Sequence, residues 1–436
     1  MSTNADLHAR RMAAVARGVS NALAVYADRA SNAELWDVEG KRYIDLASGI
    51  SVLNTGHVHP KVKDAVARQL DKLMHACFQV TPYAGYVELA ERLNALVPGS
   101  TPRKTLFLTT GAEAVENAIK IARFHTKRPA VIAFGGGFHG RTLACMTLTG
   151  KVQPYKAGFG PMLPDVFHAP YPIAYHGITI EHSLHALEHL FKADVDPARV
   201  AALIIEPVLG EGGFYAAPAE FLRKLRALCD QHGIVMIVDE IQSGFGRTGR
   251  MFAIEHSGVE PDLVTVAKSV AGGVPLSAVT GKAQIMDAPG PGGLGGTFAG
   301  SPLGCAAGLA VLDIIREERL LERAQQIGSF LVGRLKALQA RFPCIGDVRG
   351  LGAMVAIELV RNRRADSPDA DLTRALVQAA ARRGLVILAC GMYGNVIRFL
   401  PPLTISDSLL SEAMSLFEQA LADVAQGSQE KSAASA

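Results

Sequence analysis

The chain has 436 residues, of which 49% are hydrophobic and 19% are charged, and its formal net charge is +3. This length allows one large domain and a smaller one. The nearly balanced charge, without a long basic run, argues against a nucleic-acid partner. No apolar run approaches the length of a membrane span, so no membrane partner is expected.

The six cysteines are scattered and form no C-x-x-C pair. This pattern is typical of reduced thiols in a cytosolic protein, and we therefore expect a cytoplasmic location and no metal site. The first residues, "MSTNADLHARRMAAVARGV", contain several arginines and weakly resemble a transit peptide. An amphipathic N-terminal helix is the simpler interpretation.

The chain begins with a hairpin pattern around the turn Glu39–Gly40, followed by a helix that Pro60 opens. Short apolar, β-branched runs then alternate with amphipathic helices. Such alternation predicts an α/β fold with a mainly parallel sheet covered by helices. The runs are "TLFLTT", "AVIAF", "AALIIEP", "GIVMIVDE" and "LVTVA".

From about Pro302 a long helical stretch leads into "GDVRGLGAMVAIELV", two more helices and the final strand patterns "VILAC" and "NVIRFLPPL". We expect a smaller α+β domain that combines the C-terminal third with the N-terminal hairpin. The predicted division is an N-terminal segment 1–58 belonging to the small domain, a large domain 59–313, a small domain 314–425 and a disordered tail 426–436.

In open α/β sheets, ligands bind at the carboxyl ends of the strands. In "LFLTTGAEAVENAIKIA", the strand leads through Gly111–Ala112 directly into a helix. The backbone N–H groups at that helix start would suit a phosphate. An ordinary strand–helix turn is the alternative interpretation of this segment.

A glycine-rich turn follows the next strand, in "AVIAFGGGFHGRT". Gly135, Gly137 and Gly140 match the dinucleotide fingerprint, but the segment after them has no clear helical stripe and no acid about 20 residues on. Nucleotide binding is therefore disfavoured. Phe138 could instead cover an aromatic ring, and Arg141 is a candidate cation, although Arg141 taken alone could be an ordinary surface residue.

Two charged residues follow apolar strands, Asp239 in "GIVMIVDE" and Lys268 in "DLVTVAKSVAGG". Burial lowers the pKa of a lysine and makes it a nucleophilic amine, although Lys268 could instead extend its head into water. A buried carboxylate needs a cationic partner, and Lys268 follows the next predicted strand, so we interpret Asp239 and Lys268 as parts of one site. The chemistry that needs such a lysine and acid, together with a phosphate turn and an aromatic stack, is that of pyridoxal phosphate (PLP). The lysine holds the aldehyde as a Schiff base, and the acid keeps the pyridine nitrogen protonated. Glu240 faces the opposite side of the strand and is expected to be structural.

These residues lie in segments that resemble the class III, ω-amino-acid aminotransferases of PLP fold type I, closest to the 4-aminobutyrate aminotransferases. The resemblance covers nearly the whole chain apart from its ends. Among the segments that carry it are "ASGISVLNTGHVHP", "TTGAEAVENAIKIAR", "GGFHGRTLACMTLTGK", "IIEPVLGEGGF", "VDEIQSGFGRTG" and "AKSVAGGVPLSAVTGK".

The resemblance implies that Lys268 anchors the cofactor and shuttles a proton, and that Asp239 pairs with the pyridinium nitrogen. It also implies a homodimer with shared active sites, or a dimer of dimers. The other implied cofactor contacts are the backbone of Gly111 and Ala112 at the phosphate, Phe138 and Ile241 on the two faces of the ring, Gln242 at the phenolic oxygen, and Thr297 contributed by the partner subunit.

The resemblance also implies a substrate site. Ile50 would line it, Arg141 would bind the distal carboxylate, and Glu206 would lie beside it. Arg398 would bind a second carboxylate, and Glu211 would neutralise Arg398 when that carboxylate is missing.

One residue departs from the family pattern. A serine or threonine commonly follows the glycine of the phosphate turn, where this chain has Ala112. A hydroxyl contact worth about 1–2 kcal/mol is thereby lost, and we expect weaker cofactor retention.

The implied reaction transfers the terminal amine of 4-aminobutyrate to 2-oxoglutarate. 5-Aminovalerate is the nearest alternative, because one methylene changes discrimination by only about 1–3 kcal/mol. Ornithine and acetylornithine are disfavoured by the apolar Ile50. Decarboxylation-dependent transamination or racemisation remains open, and so does a PLP-binding regulator, although no DNA-binding module accompanies the fold.

Overall fold

The computed structural model describes the backbone of residues 2–434 and the side chains of residues 2–425. The helices in chain order are α1 (Asn4–Ala14), α2 (Ser48–Ser51), α3 (Pro60–Leu70), α4 (Ala84–Leu96), α5 (Gly111–Thr126), α6 (Leu143–Leu148), α7 (Ile180–Ala193), α8 (Ala219–His232), α9 (Ala283–Met286), α10 (Pro302–Glu317), α11 (Leu320–Arg341), α12 (Ala370–Arg382) and α13 (Asp407–Ala434). The strands are β1 (Ala27–Ser31), β2 (Glu34–Asp37), β3 (Arg42–Asp45), β4 (Arg103–Leu108), β5 (Ala130–Phe134), β6 (Val166–Ala169), β7 (Val200–Ile205), β8 (Val235–Asp239), β9 (Leu263–Val266), β10 (Ser277–Lys282), β11 (Ile345–Leu351), β12 (Met354–Leu359), β13 (Leu385–Val386), β14 (Leu388–Cys390) and β15 (Val396–Phe399).

The centre of the molecule is a seven-stranded sheet with the order β4-β10-β9-β8-β7-β5-β6. Its strands are parallel except β10, which runs antiparallel to both of its neighbours. The predicted mainly parallel sheet is therefore confirmed, and so are the five predicted strands within it. The apolar-run pattern did not identify β6 or β10.

Strand β8 shows how the sequence orients the sheet. Val235 and Ile237 pack with α5 on one face, whereas Met236 and Val238 pack with α8 on the other. Side chains alternate along a strand, so Asp239 continues the face that carries α5. The apolar run thus delivers its terminal carboxylate to the side of the sheet on which α5 begins.

Two smaller sheets complete the fold. One has the order β1-β2-β3-β13, in which β13 of the C-terminal third pairs parallel with β3 of the N-terminal hairpin. The other is antiparallel, with the order β11-β12-β15-β14. The N-terminal hairpin thus pairs with a strand of the C-terminal third. The residue boundaries of the two domains stay a prediction.

The C-terminal helices differ from the predicted order. Only α12 lies between β12 and the final strands, and α13 follows those strands. The predicted disordered tail, 426–436, overlaps α13 up to Ala434; its side chains and its last two residues lie outside the described residues, so this stays a prediction. The expected N-terminal helix is present as α1, and none of its residues is buried within the chain. Among the described residues, no helix is long and apolar enough to cross a membrane.

A fully buried arginine links the loops that follow β8 and β9 to the second domain. Arg247 donates to the carbonyl of Pro401 at 2.7 Å and to the Ser51 hydroxyl at 3.2 Å. Ser51 in turn donates to the carbonyl of Gln242, and its own carbonyl accepts from Ser269. Burial lowers the pKa of Arg247 to about 9, and no carboxylate among the described residues forms an ion pair with it. Neutral acceptors therefore hold this cation at the junction.

Candidate active site

A cavity of about 510 Å³ opens at the carboxyl ends of the central strands. This is the edge at which open α/β sheets bind ligands, and the volume suits a small organic molecule. The sheet order brings together residues that follow five different strands. Those that line the cavity include Gly111 and Ala112 after β4, Phe138 and Arg141 after β5, Glu206 after β7, Asp239, Ile241 and Gln242 at β8, and Lys268 after β9.

Asp239 lies at the end of β8 and is only 2% exposed. Its Oδ1 accepts hydrogen bonds from the Thr265 hydroxyl and the Ile241 amide, both at 3.1 Å. Its Oδ2 lies 2.7 Å from Nδ1 of His139. A buried carboxylate needs such partners, because it has lost its hydration. Within the chain, the side chain nearest to Oδ2 of Asp239 is therefore that of His139, whereas sequence reasoning had considered Lys268 as its partner.

His139 is a site residue that sequence reasoning missed, although it lies directly beside Phe138. Burial opposes protonation of its imidazole, but the hydrogen bond and charge of Asp239 outweigh burial and raise the pKa of His139. Both side chains are almost inaccessible to solvent. The hydrogen bond between them fixes the orientation of the Asp239 carboxylate toward the cavity.

Lys268 follows β9 in a short 3-10 turn with a left-handed backbone, φ 47°. This conformation is costly for a residue with a side chain, by about 1–3 kcal/mol, and such strain is concentrated at functional sites. Desolvation lowers the pKa of Lys268 to about 8, although Glu211 favours its charged form. Lys268 forms no ion pair in the described part of the chain. The lowered pKa therefore makes the free amine of Lys268 far more accessible near neutral pH than that of an ordinary lysine.

The turn between β4 and α5 has the features of an anion cradle. The Thr110 hydroxyl caps the helix by accepting a hydrogen bond from the Glu113 amide, and the Glu113 carboxylate accepts one from the Thr110 amide. The amides of Gly111 and Ala112 have no partner among the described residues and border the cavity. A Cβ at Gly111 would lie 3.0 Å from the Ile241 side chain, which would have to shift to admit it. Free amides at a helix start bind phosphate well.

Two further polar side chains face the same cavity. Glu206 accepts hydrogen bonds from the amides of Phe138 at 2.8 Å and Gly210 at 3.0 Å. Burial raises the pKa of Glu206 well above the usual range, and this effect is larger than that of His139, which acts to lower the pKa. Gln242 has a buried side-chain oxygen without a hydrogen-bond partner among the described residues. A ligand that offers a donor there would satisfy that oxygen.

The residues predicted to bind the substrate differ in their exposure and in whether they line the cavity. Arg141 lines the cavity but is exposed, and no carboxylate in the described chain pairs with it. Ile50 is 41% exposed and does not line the cavity. Thr297 is exposed and likewise lies outside the cavity lining. The predicted roles of Ile50 and Thr297 stay predictions.

Arg398 and Glu211 form an ion pair across the two domains. Arg398 lies on β15 of the second domain, and its NH1 and NH2 donate to the Glu211 carboxylate at 2.5 Å and 3.3 Å. The two side chains are 4% and 18% exposed. Burial alone would raise the pKa of Glu211, but Arg398 outweighs it and lowers that pKa. The charges of both residues act on Lys268, so the pair lies close to the reactive amine.

These residues fit PLP. The free amides of Gly111 and Ala112 match its phosphate, Lys268 matches its aldehyde, and the Asp239 carboxylate matches a protonated ring nitrogen. The unpartnered oxygen of Gln242 matches a polar ring substituent. Among the described residues, no group of three or more His, Cys, Asp or Glu side chains is arranged to hold a metal ion.

Comparisons with known proteins agree with this chemistry. The family model described as aminotransferase class-III matches residues 14–421. The chain is 53% identical to the 5-aminovalerate aminotransferase DavT of Pseudomonas putida, over 97% of this chain and 99% of that protein. It is also 53% identical to the 4-aminobutyrate aminotransferase GabT of Escherichia coli, over 96% of this chain and 98% of that protein.

Solved structures give the same result. A Bacillus anthracis aminotransferase superposes with a TM-score of 0.90 at 30% identity, covering 97% of this chain and 100% of its own. An amine transaminase from an uncultivated Pseudomonas species, in its PLP-bound form, superposes with a TM-score of 0.85 at 31% identity, covering 94% and 97%.

Proposed function

This chain belongs to the class III aminotransferases and is a PLP-dependent transaminase, and from this premise we propose that it transfers the terminal amino group of 4-aminobutyrate to 2-oxoglutarate. The products would be succinate semialdehyde and glutamate. 5-Aminovalerate is a second candidate donor, because a relative of equal identity is named for it. The two donors differ by one methylene, which a pocket discriminates by only about 1–3 kcal/mol.

The ion pair between Glu211 and Arg398 is the observation that carries this proposal. 4-Aminobutyrate has one carboxylate, whereas glutamate and 2-oxoglutarate have two. Arg141 has no acidic partner in the described part of the chain and could bind the carboxylate that all of them share. Arg398 would be an unpaired buried cation whenever the one-carboxylate substrate is bound, and Glu211 removes that penalty.

The same pair explains how one site serves both half-reactions. When a dicarboxylate enters, its α-carboxylate competes with Glu211 for the guanidinium of Arg398. Glu211 lies in a glycine-rich loop and is 18% exposed, so its side chain has room to move aside. Ornithine, reacting through its terminal amine, would present its carboxylate where 5-aminovalerate does. The apolar Ile50 would offer no polar partner to its additional α-amino group, which disfavours ornithine as a donor.

PLP, when bound, supplies an aldehyde that takes up the amino group and a ring that accepts electrons. Asp239, held by His139, would keep a proton on the pyridine nitrogen. Lys268 would hold the aldehyde of the cofactor, and once the substrate amine has displaced it, its free amine would be the base that accepts and returns the proton at the substrate carbon. The lowered pKa of Lys268 suits this role, because the amine must be uncharged to accept a proton.

The remaining predicted cofactor contacts belong to the same proposal. Gly111 and Ala112 would bind the phosphate through their amides, and Gln242 would bind the phenolic oxygen. Phe138 and Ile241 would cover the two faces of the ring. We also propose a cytoplasmic homodimer in which Thr297 of one subunit completes the phosphate site of the other.

Steady-state kinetics with 2-oxoglutarate as the acceptor test the substrate assignment. Purified protein is assayed with 4-aminobutyrate, 5-aminovalerate, ornithine and acetylornithine at equal concentrations. We expect kcat/KM for one of the first two donors to exceed that for ornithine by at least about ten-fold, since the apolar Ile50 would leave ornithine's α-amino group without a polar partner. If ornithine or acetylornithine is the best donor, the proposed function is wrong.

A spectroscopic experiment separates the enzyme from a PLP-binding regulator. Addition of 4-aminobutyrate alone should convert the visible absorbance of the bound cofactor to that of its aminated form. Addition of 2-oxoglutarate should then restore the original spectrum. A cofactor spectrum that does not respond to any ω-amino acid would indicate a binding protein instead of a transaminase.

A further inference from the structure

Arg141 has an aromatic partner where an acidic one would be expected. Its guanidinium lies over the ring of Tyr155, with its central carbon 5.2 Å from the ring centroid. No carboxylate in the described part of the chain is within ion-pair distance of Arg141. The ring face therefore orients this exposed cation without using any of its N–H donors.

Tyr155 also contacts the other residues of the site. Its ring centroid lies 4.9 Å from that of Phe138, with the two rings tilted by 56°. Its electrostatic partners include Glu211 and Arg398 in addition to Arg141. Tyr155 thus lies within reach of both arginines that the proposed function assigns to the substrate's carboxylates.

The chemistry of Tyr155 favours a role for its ring over one for its hydroxyl. The hydroxyl has no hydrogen-bond partner among the described residues, although the side chain is about half buried. Burial raises the pKa of Tyr155, so the phenol is neutral at physiological pH. A neutral ring attracts a cation through its face, whereas an acid at this point would compete with the substrate for Arg141.

An exposed arginine side chain has many rotamers, and binding a carboxylate requires one of them. A ring that restricts the guanidinium beforehand lowers the entropy lost on binding. We propose that Tyr155 is a positioning residue, whose aromatic ring holds Arg141 ready for the carboxylate common to the amino donor and the acceptor. This inference rests on the proposed function, which supplies the role of Arg141.

The test compares Tyr155→Leu, which removes the ring, with Tyr155→Phe, which removes only the hydroxyl. Tyr393→Phe, which removes a hydroxyl at the rim of a different cleft, is the matched control. In Tyr155→Leu we expect KM for 4-aminobutyrate and for 2-oxoglutarate to rise by roughly five-fold, with kcat little changed. Tyr155→Phe and the control should stay within about two-fold of the wild type.

A substrate without a carboxylate separates this role from a general structural one. The single-turnover rate of the holoenzyme with n-butylamine should be the same in Tyr155→Leu and in the wild type. An equal loss with n-butylamine and 4-aminobutyrate would mean that the ring acts through Phe138 and not through Arg141. A loss in Tyr155→Phe as large as that in Tyr155→Leu would assign the effect to the hydroxyl. Either result overturns the proposal.

The affinity of the holoenzyme for glutarate, measured by calorimetry, tests the role of the ring without requiring turnover. Tyr155→Leu should bind glutarate more weakly than Tyr155→Phe, whichever amino donor the wild type prefers. Equal affinities would refute the role of the ring, whereas absence of turnover in the wild type would refute only the proposed function. If Tyr155→Leu unfolds at a much lower temperature than the wild type, Tyr155→Met takes its place as the ringless variant.

Discussion

The two halves of the site are built in different ways. The half that suits the cofactor comes from strand ends of a single sheet, where Asp239 is 2% exposed and His139 is 2% exposed. The half proposed for the substrate is assembled from loops and from both domains, and it includes the exposed Arg141. Its buried pair, Glu211 and Arg398, joins the large domain to the second one.

The difference reflects what each half has to do. The cofactor half is expected to keep one ligand through every cycle, and a rigid sheet edge holds its groups at fixed positions. The substrate half has to accept molecules with one carboxylate and with two, so it needs a charge that can change partners. A movable acid against a fixed arginine provides this, whereas a second fixed acid such as Asp239 would not.

The largest expected effect is in the cofactor half, at Lys268. Lys268→Ala removes both the covalent anchor and the proton carrier, so we expect turnover to fall by at least about a thousand-fold. The visible absorbance that depends on the lysine linkage should also disappear. Lys104→Ala, at an exposed lysine on β4 of the same sheet, is the control and should behave as the wild type. Near-normal turnover in Lys268→Ala would refute its assignment.

Asp239→Asn should give the next largest effect. The shape is preserved, so the cofactor should still bind, but the ring nitrogen would lose the charge that keeps it protonated. We expect the rate of the half-reaction with the amino donor to fall by about 10²- to 10⁴-fold. Glu240→Gln is the matched control, because Glu240 is equally buried, immediately adjacent and outside the cavity lining. A normal half-reaction rate in Asp239→Asn would make Asp239 a structural acid.

In the substrate half, Glu211→Ser should change preference more than overall activity. Truncating one partner of a buried pair costs about 2–5 kcal/mol, and this cost should fall on 4-aminobutyrate, whose complex leaves Arg398 unpaired. Glutamate should be much less affected, because its α-carboxylate pairs with Arg398. The ratio of kcat/KM for the two donors measures the effect.

Arg398→Ala is the complementary variant and should harm glutamate and 2-oxoglutarate most. Equal losses for both donors in Glu211→Ser would show that Glu211 only organises its loop, and the proposed exchange of partners would be wrong.

The smallest effect concerns stability and not catalysis. Burial raises the pKa of Glu240 from its ordinary value of 4.5 to about 7. The folded state then binds a proton that the unfolded state releases between these pH values, so the contribution of Glu240 is full below pH 4.5 and is lost as the pH rises through 7. From pH 5 to pH 8 this loss is at most about 3 kcal/mol.

Glu240→Gln cannot ionise, and its free energy of unfolding, measured with urea at the two pH values, should therefore change less than that of the wild type. Parallel pH profiles for the wild type and Glu240→Gln would contradict this account.

Sequence reasoning found the cofactor half more completely than the substrate half. Lys268, Asp239 and the Gly111–Ala112 turn each follow an apolar run, which is a local signal. His139 gave no such signal, because a histidine in a glycine-rich turn has many uses. Tyr155 lies in a loop without periodicity, and nothing near it in sequence indicates Arg141.

The sequence by itself therefore determined five of the seven strands of the central sheet, their mainly parallel arrangement and the edge at which the polar residues lie. These follow from apolar periodicity and from chain order, which act over a few residues at a time. The tertiary structure decided which residues contact one another. Asp239 contacts His139 at a sequence separation of 100 residues, and Arg398 contacts Glu211 at a separation of 187 residues. Such pairings depend on strand order and on the contact between the two domains, and both are properties of the whole folded chain.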